Sequence, residues 1–174
     1  MKRLLILMLA VLLALPLAAC DGDETPSSSP AGSAAPLANS KYVLTYKNCP
    51  LPMNADFAPL RASLGEPDSY FEAASCAFEG LDKTYTYAGL EIITYPDGDV
   101  DRISSVRILN NSVSTPEGIT IGASMAAVTA AYGENYEEAG LMHVYKDGDA
   151  VLSVLFEDDT VISVEYTAIN DLLG

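Results

Sequence analysis

Three aspartates alternate with other residues in one predicted turn of this sequence: Asp97, Asp99 and Asp101. Carboxylate oxygens are the hard ligands that Ca²⁺ prefers in proteins. An EF-hand loop also requires glycine at its sixth position and glutamate at its twelfth, and counting from Asp97 these positions hold Arg102 and Ile108. Aspartate and glycine are common in hairpin turns for conformational reasons alone. The three aspartates are therefore a weak candidate for a calcium site.

The residues that could serve a hydrolase are few. His143 is the single histidine and lies in a predicted strand, where a packing role is more common than catalysis. Ser124 follows Gly122-Ala123, but the second glycine of a nucleophile elbow is missing, and a helix-capping role explains this serine better. The sequence has no phosphate-binding loop, zinc motif or dinucleotide fingerprint. We expect no enzyme and no cofactor, and a hydrolase that uses Ser124 and His143 is the enzymatic alternative.

Two tyrosines, Tyr85 and Tyr87, alternate with threonines in a predicted strand. Alternation places both rings on one face of the sheet. On an uncovered face they would suit partner binding, because tyrosine combines a large apolar body with a polar tip. On the opposite face they would pack beneath a helix. The sequence leaves both possibilities open.

Cys20 marks the end of an export signal. Lys2 and Arg3 precede an apolar stretch over residues 4–19 that is shorter than the roughly 20 residues a spanning helix needs. Leu17-Ala18-Ala19-Cys20 matches the lipobox of bacterial lipoproteins. The pattern predicts a signal peptide over residues 1–19 and a lipid on Cys20, anchoring the protein to the outer face of the cytoplasmic membrane.

With Cys20 assigned to lipid, Cys49 and Cys76 remain. Thiols in an oxidising compartment usually pair, so the sequence predicts a Cys49–Cys76 disulfide. In the chain-entropy model its loop of about 28 residues would stabilise the fold by roughly 3.6 kcal/mol. A redox pair or metal site is the alternative, but the C-x-x-C spacing is missing.

Charge and composition divide the chain into a tether and a folded domain. The net charge of −15 disfavours nucleic acid as a partner, because phosphates are repelled. Residues 20–40 are rich in Ser, Pro, Ala and Gly without aromatic residues, which predicts a disordered tether with a span of roughly 25 Å. Residues 41–174 are long enough for one domain.

Periodicity predicts an internal repeat within that domain. Residues 103–108 (ISSVRI) recur as residues 161–166 (VISVEY). The expected fold class is α+β, with tandem units over residues 41–113 and 114–174, each a short helix packed on one face of a three-stranded antiparallel sheet. The strands of the two units are expected to form one antiparallel sheet or two adjoining ones. The predicted helices are 57–64 and 125–132, and the predicted strands are 84–87, 90–95, 102–109, 141–145, 150–156 and 161–168.

Residues 75–87, 95–98 and 115–122 are similar to an uncharacterised family of small lipoproteins from anaerobic Gram-positive bacteria. More distantly, the helix-then-hairpin layout resembles the beta-lactamase-inhibitor-protein fold and the SmpA/OmlA lipoproteins. These relatives imply a protein-binding scaffold. The expected function is a lipid-anchored, non-catalytic module that binds a ligand or another envelope protein. A calcium-binding or structural envelope protein is the alternative.

Overall fold

The computed structural model describes residues 39–170, which all fall within one compact unit of the chain. The expected signal peptide, the lipidated Cys20 and all but the end of the tether lie outside the described residues. Within residues 39–170, neither helix has the length and apolar character needed to cross a lipid bilayer.

Ten strands and two helices make up the described part of the chain. In chain order they are β1 (Leu44–Tyr46), β2 (Cys49–Leu51), α1 (Phe57–Leu64), β3 (Ser69–Ala74), β4 (Leu81–Tyr87), β5 (Leu90–Asp97), β6 (Val100–Ile108), α2 (Met125–Tyr132), β7 (Glu137–Ala139), β8 (Met142–Asp147), β9 (Ala150–Glu157) and β10 (Thr160–Ala168).

The predicted α+β class with tandem helix-plus-three-stranded units is wrong. The described residues 39–170 are mostly β, with 48% strand and 12% helix. Eight strands form one antiparallel sheet in the order β3-β4-β5-β6-β10-β9-β8-β7, and β1 and β2 form a separate hairpin. The pairing of β6 with β10 joins the first half of this sheet, β3 to β6, to the second half, β7 to β10.

The two edge strands explain part of this error. Every residue of β3 and of β7 is exposed, so neither strand has the alternation of apolar and polar residues that identifies a half-buried strand. Both strands form by pairing with a neighbour, β3 with β4 and β7 with β8. Their formation therefore depends on the sheet and not on a local hydrophobic pattern.

The helices begin and end at the predicted residues because local signals define both termini. The Asp56 side chain accepts a hydrogen bond from the Ala58 N–H at the start of α1, and Ser124 accepts one from the Ala127 N–H at the start of α2. Gly65 and Gly133 follow the helices with φ values of 81° and 84°, a region that favours glycine.

Both helices and the β1–β2 hairpin contribute to one hydrophobic core against the sheet. Tyr87 Oη donates to the Gly65 carbonyl at 3.3 Å, and Tyr145 Oη donates to the Gly133 carbonyl at 3.2 Å. Each tyrosine thus ties the end of a helix to a strand below it. Packing in this core holds both helices against the sheet.

The two cysteines outside the signal, Cys49 and Cys76, are free, so the predicted disulfide is wrong. Cys49 is buried in the β1–β2 hairpin, and Cys76 is exposed in the turn between β3 and β4. The connection that carries Cys76 is itself a hairpin, closed by a hydrogen bond from the Ser75 N–H to the Gly80 carbonyl. Backbone pairing therefore replaces the disulfide.

Thiol reactivity provides the first test. In the folded full chain with Cys20→Ser, Ellman's reagent is expected to label Cys76 rapidly and Cys49 only after unfolding. Cys76 is exposed, whereas burial protects Cys49 and raises the pKa of its thiol. Denatured protein is the control that reports both thiols. Absence of labelling until a reductant is added would show that the disulfide exists.

Candidate functional site

A groove of about 480 Å³ opens beside the start of α2. We call it the α2 groove. The α2 helix forms one side, the β7–β8 turn forms another, and the β9–β10 turn closes the end. Its lining residues are Met125, Tyr136, Glu138, Gly140, Leu141, His143, Phe156, Asp158 and Asp159.

His143 supplies the polar group in the wall of the α2 groove. Its side chain is only 5% exposed, and its Nδ1 atom has no hydrogen-bond partner. The Tyr136 ring stacks on the imidazole with ring centroids 3.7 Å apart, and Phe156 meets it edge-on at 4.7 Å. A buried polar atom without a partner costs roughly 1–3 kcal/mol, so most native structures satisfy such atoms. His143 therefore carries a buried, unused hydrogen-bonding atom in a side chain that lines the groove.

Three carboxylates also line the groove: Glu138, Asp158 and Asp159. None of the ion pairs formed among residues 39–170 involves them. Asp158 and Asp159 form the tip of the β9–β10 hairpin, with φ values of 47° and 61°. Positive φ at both central positions is the geometry of a type I′ turn, which suits the twist of the adjoining strands. The turn projects two carboxylates beside the groove.

The start of α2 contributes the opposing charge. The Met125 N–H donates to the Asp159 carbonyl at 2.8 Å, and the helix dipole places roughly half a positive charge at this end. Three carboxylates outweigh that partial charge. The apolar surfaces of Met125, Tyr136 and Phe156 complete the walls. The α2 groove thus combines an acidic edge with an apolar interior, which favours a cationic ligand that has an apolar portion.

The structure does not assemble the hydrolase pair considered from the sequence. Ser124 Oγ caps α2 by accepting from the Ala127 N–H at 3.2 Å. Ser124 lines a shallow depression next to the α2 groove, and the two share Met125 and Asp159. The Nδ1 atom of His143 is unpartnered, so it makes no hydrogen bond to Ser124. A serine nucleophile needs such contact with its base.

The candidate partner-binding tyrosines lie in the core, which corrects the interpretation of Tyr85 and Tyr87 as an interaction surface. Each is 3% exposed. Tyr85 packs on Phe57 of α1 with ring centroids 4.7 Å apart, and Tyr87 is tied to the end of α1. Alternation correctly placed both on one face, but only the packing of α1 determined that this face is covered.

The three turn aspartates are separated by their partners. Asp97 binds Arg102 at 2.5 Å, Asp101 binds Lys83 at 2.6 Å, and Asp99 remains exposed. Within the described range 39–170, no three His, Cys, Asp or Glu side chains are grouped so that they could hold a metal ion. The weak calcium candidate is therefore not brought together as a ligand cluster.

Sequence reasoning identified His143 but missed the site around it. Tyr136 and Leu141 lie about 20 residues before the β9–β10 turn in the chain, and these residues carry no motif. Leu141 was treated as a strand residue, yet it is 70% exposed at the groove rim. The available signal was the pair of adjacent aspartates, Asp158 and Asp159, between two predicted strands. That signal could not indicate that His143 and aromatic rings lie near them.

The fold and groove define a mostly β protein with an antiparallel sheet backed by two short helices. No family model and no curated protein matches this sequence. Among solved structures, the chain is similar to a cysteine-rich secretory protein from Staphylococcus aureus, with 15% identity and a TM-score of 0.45 over 75% of this chain. It spans about half of that structure's length, 48%.

A DUF4309 family protein from Bacillus subtilis is also similar, with 17% identity and a TM-score of 0.41. The match covers 68% of this chain and 82% of the Bacillus protein. Similarity at this level assigns neither a family nor a function to the chain.

Proposed function

We propose that the protein is a non-catalytic, lipid-anchored binding module of the cell envelope that holds its ligand in the α2 groove. The observation that carries the proposal is the buried, unpartnered Nδ1 atom of His143 in the wall of that groove. Retaining an unsatisfied buried group at a surface groove lowers stability, and ligand binding is the function that such a group can serve.

The acidic edge of the groove supports binding of another molecule. Glu138 and the Asp158–Asp159 turn have no cationic partners within the described residues. Asp158 and Asp159 are neighbours in the turn, and a bound cation would relieve the repulsion between their like charges. An envelope protein that presents a basic side chain fits this surface.

The proposed location at the membrane rests on the sequence around Cys20. A diacylated cysteine would hold the protein stably at the membrane, since two acyl chains bind where one is marginal. The following 20 residues would give the domain a reach of roughly 25 Å from its anchor. This arrangement allows the groove to meet a partner near the membrane surface.

A non-catalytic role agrees with the chemistry of the groove. The nucleophile candidate beside the groove, Ser124, uses its oxygen as a helix cap. The groove instead provides a hydrogen-bonding atom, carboxylates and apolar walls, which together recognise a ligand without supplying an activated nucleophile.

Site-specific crosslinking tests this function. A photo-reactive amino acid at Leu141, on the groove rim, is expected to give one discrete adduct when the full lipidated chain is irradiated in membranes. The same amino acid at Leu109, which is 42% exposed at the end of β6, is the control. The Leu141 adduct must also disappear when Met125→Phe and His143→Tyr fill the groove. If the Leu141 adduct persists in the filled variant, the α2 groove is not the binding site.

A further inference from the structure

The two halves of the sheet place different residues in corresponding positions. Tyr85 pairs with Ile92, which pairs with Val106, and His143 pairs in the same way with Val154 and Val164. Ile103 and Val161 each exchange two backbone hydrogen bonds with the segment before a helix. These contacts match Phe57 with Met125, Lys83 with Leu141, Tyr85 with His143, and Asp101 with Asp159.

In the first half, this position is filled by the protein's own side chains. Phe57 and Tyr85 are 1% and 3% exposed and pack together, leaving both rings in the core. The Lys83 ammonium group lies 2.6 Å from the Asp101 carboxylate. The Arg61 guanidinium lies over the Tyr85 ring at 5.4 Å. Aromatic rings and cations thus occupy the first position completely.

In the second half, the same position is open. Met125 replaces the phenylalanine, His143 replaces the tyrosine, and the α2 groove lies between them. Leu141 stands where the lysine would be, so Asp159 has no ammonium partner among the described residues. The second half retains the carboxylate of the first half and lacks the cation that the first half supplies.

We infer that the α2 groove binds a primary ammonium group on an unbranched apolar stem, the chemistry of a lysine side chain presented by a partner protein. This inference rests on the proposed function and specifies its ligand. The ammonium group would contact Asp159, as Lys83 contacts Asp101. It has three N–H donors, so one of them also suits the unpartnered Nδ1 atom of His143. The stem would lie against Tyr136 and Met125.

The alternatives fit the groove less well. An anion would be repelled by the three carboxylates. A metal ion needs converging ligands, and no such group occurs within residues 39–170. A guanidinium group prefers a planar, two-point contact with a carboxylate, whereas the internal precedent is the point contact of Lys83 with one oxygen of Asp101. Tyr136 adds an aromatic surface near which a cation is stabilised.

The direct test uses n-butylamine, which reproduces the four-carbon stem and ammonium group of lysine. NMR titration of the His143 ring signals in the full chain is expected to give saturable binding with a millimolar dissociation constant, and n-butanol is the uncharged control. Asp159→Asn should weaken n-butylamine binding about tenfold, since a charged hydrogen bond is lost. Asn tolerates the positive φ of this position, so folding is retained.

Asp99→Asn is the matched variant, because it removes one exposed carboxylate from a distant turn and should leave binding unchanged. A capped Gly-Lys-Gly peptide should bind and its Nζ-acetylated form should not. Equal binding of n-butanol, tighter binding of methylguanidinium, or no effect of Asp159→Asn would overturn the ammonium assignment. Binding of n-butylamine without the lysine peptide would overturn the partner-protein source.

The two proposals fail in different ways. If the Leu141 adduct forms and depends on an open groove while n-butylamine does not bind, the module stands and its ligand class is wrong. If n-butylamine binds and no groove-dependent adduct forms, the groove recognises ammonium but the protein-binding function is wrong. Loss of both results rejects both proposals.

Discussion

Tyr145→Ala is expected to lower the free energy of unfolding by about 3–5 kcal/mol, the range for removing a large aromatic side chain from a core. Tyr145 is 0% exposed. Its ring contacts Tyr42, Tyr132 and Tyr136 with centroid distances of 6.3, 5.4 and 5.6 Å. The loss would therefore disturb α2, the N-terminal segment and the wall of the α2 groove together. Urea denaturation followed by circular dichroism measures the effect.

Tyr145→Phe separates packing from hydrogen bonding. This variant keeps the ring and removes only the 3.2 Å bond from Tyr145 Oη to the Gly133 carbonyl, so it should lose about 1 kcal/mol. Burial raises the pKa of the Tyr145 hydroxyl to about 12, which agrees with its protected position. If Ala and Phe at this position were equally destabilising, the ring packing would contribute nothing and the described core would be incorrect.

The double substitution Met125→Phe/His143→Tyr is expected to abolish binding in the α2 groove and to raise stability by about 1 kcal/mol or more. It copies the pair Phe57 and Tyr85 that fills the corresponding position of the first half. The change removes an unsatisfied buried nitrogen and fills apolar space, and both effects favour the folded state. Thermal unfolding and the n-butylamine titration measure the two outcomes.

The experiment is informative because the double substitution should abolish binding and at the same time raise stability. If His143 had only a structural role, its replacement would lower the stability of the protein and leave n-butylamine binding unaffected. If His143 serves binding, its replacement should raise stability and abolish n-butylamine binding. His143→Phe alone is the control that removes the imidazole while leaving Met125 and most of the groove. A filled variant that is less stable and still binds n-butylamine would contradict the role assigned to His143.

Local features of the chain were readable from the sequence. The bounds of α1 and α2 follow from Asp56, Ser124, Gly65 and Gly133, because caps and positive-φ glycines act within one or two residues of their own position. The alternation of Tyr85 and Tyr87 likewise placed them on one face. These signals depend on short-range backbone geometry, so a single sequence contains them.

Features that depend on distant parts of the chain were missed. The β3 and β7 strands have no hydrophobic alternation and exist because β4 and β8 offer them hydrogen-bonding edges. The sequence left open whether the two halves form one sheet or two, and the long-range pairing of β6 with β10 makes them one. Likewise, the Cys49–Cys76 disulfide was predicted from the number of cysteines and an oxidising compartment. In the structure Cys49 is buried in a hairpin and Cys76 is exposed in a turn.

The α2 groove shows most clearly which features the sequence determines and which depend on the tertiary structure. The sequence by itself determined the acidic β9–β10 turn, the capped start of α2 and the strand that carries His143. Only the tertiary structure decided that these three elements meet, and that Met125 and His143 leave open a space that Phe57 and Tyr85 fill in the first half. Side-chain volume matters only against its packed neighbours, and those neighbours are distant in the chain.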